Sequence, residues 1–215
     1  MASGIDRPGA LDKAFEFIYK SEINGDYYEF GVFQGVSIAR ALRSDQAWKK
    51  KTRRSHVNRF FGFDSFAGLP QFAKDDRLDN YGVFQPGQFA DTSPDAVRAQ
   101  IAREGMSVDN VTLIPGFFST SLTADETLQQ LSGSRVAIAH IDCDLYSSAK
   151  ECLDFLDDRI EDCAVLLFDD WYCYRGRPDR GVHKAFVEWQ AARHYHVSDY
   201  FSYSWAGRAF IVNRQ

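Results

Sequence analysis

The sequence predicts an α/β domain with a mainly parallel sheet and helices on both of its faces. Strand-like and helix-like runs alternate from end to end, without internal repeats or low-complexity segments. Acidic residues close two of the apolar runs, at the position where α/β proteins place their chemistry. A chain of 215 residues can bury one sizeable core, so a single domain over residues 1–215 is expected.

The elements follow one another in a regular order. An N-terminal helical segment is expected over residues 1–26, because apolar residues recur at helical spacing from 11 to 20. Short apolar runs predict strands at 27–30, 59–64, 111–114, 136–141 and 164–168. Helical patterns follow at 36–43, 94–104, 147–156 and 182–193, with a further short helix after a capping box at Thr123 to Glu126. The tail, 200–212, is predicted to form a closing hairpin or antiparallel edge.

Residues 71–92 lack clear periodicity. They are rich in Gly, Asp, Gln and aromatic side chains and are long for a connection in a compact domain. Connections of that length are often lids or binding loops, so this stretch is a candidate lid loop.

Composition narrows the classes of partner and compartment. The net charge of -5 and the pI near 5.5 argue against general nucleic-acid binding, which needs clustered Lys and Arg. The basic run 49–54 is expected to be a solvated loop, with an anionic partner as the alternative. Four cysteines without metal-site spacing favour a reducing compartment. Without a signal-like apolar stretch or a run of about 18 apolar residues, we expect a cytoplasmic protein with no membrane insertion.

The first chemical motif is a glycine-containing turn after the first strand. In Glu29 to Gly35 the glycines let a ligand approach the backbone, and the free N–H groups of the next helix favour an anionic group. Asp64 ends the second strand, where a carboxylate can accept hydrogen bonds from ribose hydroxyls. Taken alone, each feature is explained as well by a tight turn or a surface cap, and their pairing favours a nucleotide-like ligand. Phe117 and Phe118 end the third strand and either hold an adenine ring or pack in the core.

Four aspartates form the most informative motif. Asp142 and Asp144 follow the fourth strand, and Asp169 and Asp170 follow the fifth. Residues two apart on a strand point to the same side, so the first pair is expected to face one way. Converging carboxylates persist mainly when a cation or a shared proton offsets their repulsion. The donor set favours Mg²⁺, with Mn²⁺ or Ca²⁺ as alternatives; the other interpretation is solvated loop acids or helix caps.

The chain resembles the macrocin O-methyltransferase (TylF-like) family in four phrases that occur in the same order. They are EFGVFQGVS at 29–37, FDSFAGLP at 63–70, IDCDLYSS at 141–148 and FDDW at 168–171. The resemblance implies a Rossmann-like class I methyltransferase fold, with a mostly parallel seven-stranded sheet and an antiparallel C-terminal edge. It also implies S-adenosylmethionine as cofactor and Mg²⁺ (or Mn²⁺) as metal.

The resemblance assigns roles to matching positions. The implied cofactor-binding residues are Glu29, Gly31, Val32, Gly35, Ser37, Asp64, Ser65, Gly116, Phe117, Phe118 and Asp142. The implied metal ligands are Asp142, Asp169 and Asp170, and Asp144 is the implied general base. Tyr146 and His183 are candidate substrate contacts. The chain departs from the family in a short segment before Glu29 and in a long connection whose Arg175, Arg177 and Arg180 either meet an anionic substrate or are solvated.

The implied reaction is metal-dependent O-methylation of a hydroxyl on a sugar, glycoside or glycosylated metabolite. A dication lowers the pKa of a coordinated hydroxyl, and a vicinal diol that chelates it fixes which oxygen reacts. Three alternatives stay open: a catechol-type O-methyltransferase, a metal-dependent glycosyltransferase that uses Asp-x-Asp, and a binding protein without activity. The expected partners are a small-molecule or glycan acceptor and a second copy of the chain in a homo-oligomer.

Overall fold

Five neighbouring strands of the central sheet run parallel, and a C-terminal hairpin closes one edge. The computed structural model describes residues 4–77, 82 and 84–214. The strands within this part are β1 (Gly25–Phe30), β2 (Val57–Asp64), β3 (Val111–Pro115), β4 (Val136–Ile141), β5 (Ile160–Phe168), β6 (Tyr195–Tyr203) and β7 (Gly207–Arg214). The sheet order is β3-β2-β1-β4-β5-β7-β6, and β7 pairs antiparallel with both of its neighbours. The predicted α/β class, the seven strands and the antiparallel edge are confirmed.

Helices connect the strands and cover both faces of the sheet. Those in the described residues are α1 (Arg7–Lys20), α2 (Val36–Thr52), α3 (Pro94–Arg103), α4 (Phe118–Ser121), α5 (Asp125–Gln130), α6 (Tyr146–Leu156) and α7 (Gly181–Ala192). The helix α1 begins after Asp6, whose side chain accepts a hydrogen bond from the N–H of Gly9 at 2.8 Å. No helix of the described segments is long and apolar enough to cross a membrane.

Aromatic residues of β1 and β2 alternate between the two halves of the core. Tyr28 and Phe30 lie on one face of the sheet, where their rings pack against Phe155 of α6. Tyr27 and Phe60 lie on the other face, against Phe15 of α1. The alternation follows from the two-residue period of a strand. The aromatic-rich composition therefore serves the core on both sides of the sheet.

Two local predictions are wrong. Lys49 to Thr52 form the last turn of α2 rather than a loop, because lysine is a good helix former and cations are favourable near a helix C-terminus. The capping box does not form, because the hydroxyl of Thr123 donates to the carbonyl of Thr120 and α5 begins after Ala124 without a side-chain cap.

Backbone hydrogen bonds join the carboxyl ends of neighbouring strands beyond the sheet. The N–H of Gly31 donates to the carbonyl of Phe63 at 2.9 Å, and that of Asp142 donates to Phe30 at 2.9 Å. Gly31 has φ +89°, and a Cβ placed there would lie 1.8 Å from the carbonyl oxygen of Asp142. The turn after β1 therefore packs directly on the turn after β4, and only glycine allows this approach.

We predict that Gly31→Ala destabilises the fold far more than Gly133→Ala. Both glycines have positive φ, which costs a side chain about 1–2 kcal/mol. A Cβ at Gly133 meets no heavy atom within 4 Å, whereas one at Gly31 collides with backbone. Urea unfolding should show a loss at least about 2 kcal/mol larger for Gly31→Ala, because the two turns must separate. Equal losses would show that the contact is not rigid.

Candidate active site

A cleft of about 890 Å³ opens at the carboxyl edge of the parallel strands. Eight of the predicted site residues line it: Gly31, Asp64, Ser65, Phe117, Phe118, Asp142, Asp144 and Asp170. The remaining predicted residues stand outside its lining: Glu29, Val32, Gly35, Ser37, Gly116, Tyr146, Asp169 and His183. The structure thus brings part of the implied cofactor set, at the carboxyl ends of β1, β2 and β3, into one cavity with three of the four aspartates.

Asp64 organises the cofactor side of the cleft. Its Oδ2 accepts hydrogen bonds from the N–H groups of Val32 and Phe33, each at 2.8 Å, and its Oδ1 accepts one from Phe66 at 2.8 Å. Its carboxylate therefore fixes the turn after β1 as well as its own turn. Two carboxylate oxygens offer about four acceptor positions, so one remains for a ligand hydroxyl.

Glu29 lies beneath the turn rather than on the cleft. It is fully buried, and its carboxylate accepts hydrogen bonds from the hydroxyls of Tyr27 and, at 2.6 Å, Ser37. Because Ser37 is in the first turn of α2, these bonds hold the helix start against β1. Glu29 and Ser37 shape the backbone that faces the cleft, and a direct contact with the cofactor stays a prediction.

The aromatic pair after β3 divides between the cleft and the core. Phe117 is 40% exposed and lines the cleft. Phe118 also borders the cleft, but its ring packs against that of Phe30 in a T-shaped arrangement with centroids 5.8 Å apart. The N–H of Gly116 donates to the carbonyl of Asp64 at 2.9 Å, which ties this turn to the one after β2. Phe118 thus packs partly in the core and Phe117 is exposed at the cleft, and contact of either ring with an adenine stays a prediction.

Asp142, Asp144 and Asp170 face the cleft together. The strand β4 ends at Ile141, and Asp144 adopts φ +62°, so the first pair converges through a turn rather than through strand alternation. The N–H of Asp144 donates to Oδ2 of Asp170 at 3.0 Å. Burial and the charge of Asp142 raise the pKa of Asp144 to about 8. Burial and the charge of Asp144 raise the pKa of Asp170 well above its usual range. At these two carboxylates, burial and the neighbouring negative charges thus outweigh the opposing charge of Arg7.

Asp169 does not line the cleft; its carboxylate lies close to that of Asp142, in a buried polar pocket. Its Oδ1 accepts a hydrogen bond from the hydroxyl of Tyr203 at 2.8 Å and lies 3.1 Å from Nε2 of His140. Its Oδ2 forms an ion pair with Arg7 of α1. Arg7 of α1 and Tyr203 of β6, which are far apart along the chain, thus both contact Asp169.

His140 is a site residue that the sequence analysis missed. It lies on β4, is 1% exposed, and stands between Asp169 and Glu29, whose Oε2 is 3.7 Å from its Nδ1. One ligand atom from each of His140, Asp142 and Asp169 lies within 4.8 Å of the other two, so this group can hold a metal ion. A usable signal was present, because a residue two positions before Asp142 on a strand shares its side.

The candidate lid loop is joined to the aspartate turn. Buried Asp76 accepts hydrogen bonds from both the N–H and the hydroxyl of Ser147, each at 2.8 Å, and so caps the start of α6. Gln71, Ala73, Gly87 and Phe89 line the cleft. Residues 78–81 and 83 of the candidate loop lie outside the described residues, and its closure stays a prediction.

The side chains of the two candidate substrate contacts, Tyr146 and His183, bind other residues of the chain outside the cleft lining. The hydroxyl of Tyr146 donates to Glu188 at 2.8 Å, and the ring of His183 stacks on Trp171 with centroids 4.1 Å apart. Arg177 and Arg180 both pair with exposed Asp179, which fits the solvated interpretation of this connection. Any contact of these residues with substrate stays a prediction.

Known proteins share this sequence pattern and this fold. A family model described as Macrocin-O-methyltransferase (TylF) matches residues 2–197. The chain is 26% identical over 188 residues to the 8-demethyl-8-(2,3-dimethoxy-alpha-L-rhamnosyl)-tetracenomycin-C 4'-O-methyltransferase of Streptomyces olivaceus, covering 81% of this chain and 67% of that protein. It is 26% identical over 174 residues to the mycinamicin III 3''-O-methyltransferase of Micromonospora griseorubida, covering 79% of this chain and 64% of that protein. The chain thus spans close to two thirds of these curated relatives.

Solved structures agree at the level of the fold. The calicheamicin methyltransferase CalS11 superposes with a TM-score of 0.72 at 19% identity, over 95% of this chain and 77% of that one. The O-methyltransferase NovP gives a TM-score of 0.69 at 19% identity, over 97% and 79%. An O-methyltransferase from Bacillus cereus in complex with SAH gives 0.58 at 16% identity, over 95% and 80%.

We predict that the metal-free protein loses stability as the pH rises from about 4 to about 8. In this window the unfolded chain has released the Asp144 proton, whereas the folded chain keeps it until its pKa of about 8. Urea unfolding in chelator should show that Asp144→Asn flattens the fall by about 1 kcal/mol per pH unit. Asp154→Asn, at an exposed surface pair, should leave the slope unchanged. Parallel slopes for wild type and Asp144→Asn would contradict the raised pKa.

Proposed function

The chain belongs to the macrocin O-methyltransferase family, and on that premise we propose that it transfers a methyl group from S-adenosylmethionine to a sugar hydroxyl. Membership confirms the predicted family and the predicted class of enzyme, an S-adenosylmethionine-dependent O-methyltransferase. The same membership disfavours the glycosyltransferase alternative. The acceptor, the metal and the role of each residue are proposals.

The observation that carries the proposal is the cleft that several implied cofactor residues share with three of the four aspartates. Gly31 and Asp64 border one part of it, and Asp142, Asp144 and Asp170 border another. The contact of the Gly31 turn with the Asp142 carbonyl sets the two parts side by side. A cofactor held by the turns after β1 to β3 therefore lies next to the carboxylates, which is the proximity that methyl transfer requires.

We propose that Asp142, Asp169 and Asp170 hold Mg²⁺ or Mn²⁺. The raised pKa values of Asp142 and Asp170 support this, because they reflect buried negative charge that a divalent ion would offset. Carboxylate oxygens are also the ligands that these ions prefer. The geometric group of candidate ligands consists of His140, Asp142 and Asp169 and does not include Asp170, so His140 is the alternative to Asp170 as the third ligand. The ion would supply Lewis-acid activation of the acceptor hydroxyl.

Asp144 is the proposed general base. Its side chain lines the cleft, and its turn is held by the hydrogen bond from its own N–H to Asp170. Its pKa of about 8 makes the ionised carboxylate a stronger base than an exposed one, and the ionised fraction that can act as base grows as the pH approaches 8. Asp144 would remove the hydroxyl proton while that oxygen attacks the sulfonium methyl group.

A sugar is the acceptor class that the relatives favour. The Streptomyces olivaceus protein is named for a rhamnosyl-bearing substrate. A vicinal diol presents two oxygens that fit one metal site, and a catechol presents the same pair, so a catechol-type acceptor is the second candidate.

The expected homo-oligomer also stays a proposal.

We predict that Asp144→Asn lowers kcat by a factor of about 10²–10⁴, the range that general-base catalysis contributes. Binding of S-adenosylhomocysteine and Mg²⁺, measured by calorimetry, should stay within about twofold of wild type, because Asp144 is not among the proposed ligands. Asp154→Asn is the remote control and should keep full activity. If Asp144→Asn retains wild-type turnover, Asp144 is not the base.

We predict that label from S-adenosylmethionine passes to sugars with vicinal hydroxyls when Mg²⁺ is present, and that EDTA abolishes the transfer. The reason is that the carboxylates alone cannot lower the pKa of a sugar hydroxyl. Catechols run in parallel separate the two acceptor classes. Transfer at an unchanged rate in EDTA would sink the metal proposal while leaving the methyltransferase proposal intact.

A further inference from the structure

Arg7 reaches the aspartates from the first residue of α1. Its Nη1 lies 3.4 Å from Oδ2 of Asp142, and its Nη2 forms an ion pair with Oδ2 of Asp169. Asp142 and Asp169 follow different strands, so the guanidinium bridges the two acid pairs. Its positive charge opposes the effect of burial on the pKa of Asp142. Arg7 is thus part of the charge balance of the cleft, although no sequence motif indicated it.

The two bridged carboxylates are among the proposed metal ligands. A metal bound to Asp142 and Asp169 contacts a carboxylate oxygen of each at about 2.0–2.6 Å. A guanidinium paired with one oxygen of each carboxylate occupies space between them and uses lone pairs that would otherwise be open to a metal. Two cations close together in a buried site also repel each other strongly. Arg7 in its observed position and a metal ion in the proposed site exclude each other.

We propose that Arg7 is an alternative occupant of the carboxylate site, which neutralises Asp142 and Asp169 until a divalent ion displaces it. The inference rests on the proposed metal site. The Arg7 guanidinium thus competes with the metal ion for the carboxylates of Asp142 and Asp169. Metal affinity therefore depends on the first turn of α1 as well as on the ligands.

The surroundings allow Arg7 to leave without unfolding the helix. Its side chain is 50% exposed, so rotation of the side chain delivers the guanidinium to water. The helix start is held independently by the Asp6 cap. The backbone before it is held by a hydrogen bond from the N–H of Ser204 to the carbonyl of Ile5 at 2.6 Å. Displacement is therefore a side-chain event, and it leaves the guanidinium at the rim of the cleft, which Arg7 lines.

The test is calorimetric titration of Mg²⁺ into wild type, Arg7→Gln and Arg43→Gln. Removing the competing cation should tighten Mg²⁺ binding by Arg7→Gln on the order of tenfold, equal to about 1.4 kcal/mol. Arg43 is the matched control, because it is 46% exposed and pairs with Glu104 away from the cleft. Arg43→Gln should bind Mg²⁺ as wild type does. Without metal, Arg7→Gln should also melt below Arg43→Gln, and saturating Mg²⁺ should raise its melting temperature more.

The outcomes separate this inference from the metal proposal. Wild type and Arg7→Gln binding Mg²⁺ equally, or Arg7→Gln binding it more weakly, would overturn the role of Arg7 and leave the metal site standing. Absence of Mg²⁺ binding by all three proteins would overturn the metal site and this inference with it. If Arg7→Gln does not fold, NMR spectra of ¹⁵N-labelled wild type provide the test. The Arg7 Nε–H signal is assigned as the one that is missing from the spectrum of Arg7→Lys. Mg²⁺ should shift that signal towards its position in free arginine, and an unshifted signal at saturating Mg²⁺ would overturn the inference.

Discussion

Concentrated negative charge at the carboxyl ends of β4 and β5 is the constraint on which the rest of the cleft depends. Parallel pairing sets Ile141 beside Phe168, so the two acid pairs leave the sheet next to each other. Burial then makes their ionised forms costly, as the raised pKa values of Asp144 and Asp170 show. The charge can be offset by protons, by Arg7 or by a divalent ion. Protonation makes the stability depend on pH, pairing with Arg7 holds the start of α1 at the acids, and binding of a divalent ion would support the proposed chemistry.

Distant parts of the chain converge on this charge. Arg7 arrives from the first helix, and Tyr203 arrives from the end of β6 to donate to Asp169. Asp76, in the loop after β2, caps the helix that begins next to Asp144. The glycine turn after β1 packs on the Asp142 carbonyl, so the position of the cofactor turn and that of the acids are coupled through backbone contact. The geometry of the cleft is therefore a property of the whole domain and not of one motif.

Local patterns explain why much of the fold could be predicted from the sequence. An apolar run followed by acids marks the end of a buried strand, and β4 was predicted with its observed bounds, Val136–Ile141. The antiparallel edge was also foreseen, because turn residues interrupt a β-rich tail. Apolar patterns do not mark every helix end: helix propensity continues α2 through Lys49 to Thr52, beyond the last residues that follow the apolar pattern.

The contacts of the site could be predicted only in part. The sequence indicated Asp142, Asp144 and Asp170 on one cleft, but strand alternation was the wrong reason, since a turn at Asp144 produces the convergence. Arg7 and Tyr203 could not be assigned to Asp169, because no local pattern specifies partners so far apart along the chain. His140 carried a signal in its spacing from Asp142, yet a histidine inside an apolar strand is equally well explained as a core residue.

The central claim is that the ends of β4 and β5 form a divalent-cation site beside the cofactor. Anomalous diffraction from crystals grown with Mn²⁺ and S-adenosylhomocysteine tests it most directly, because Mn²⁺ occupies the same oxygen-rich sites as Mg²⁺. We expect one strong peak within coordination distance of Asp142 and Asp169, with the Arg7 side chain moved away from both carboxylates. Density for S-adenosylhomocysteine without an anomalous peak at these carboxylates, and with Arg7 still bridging them, would contradict it.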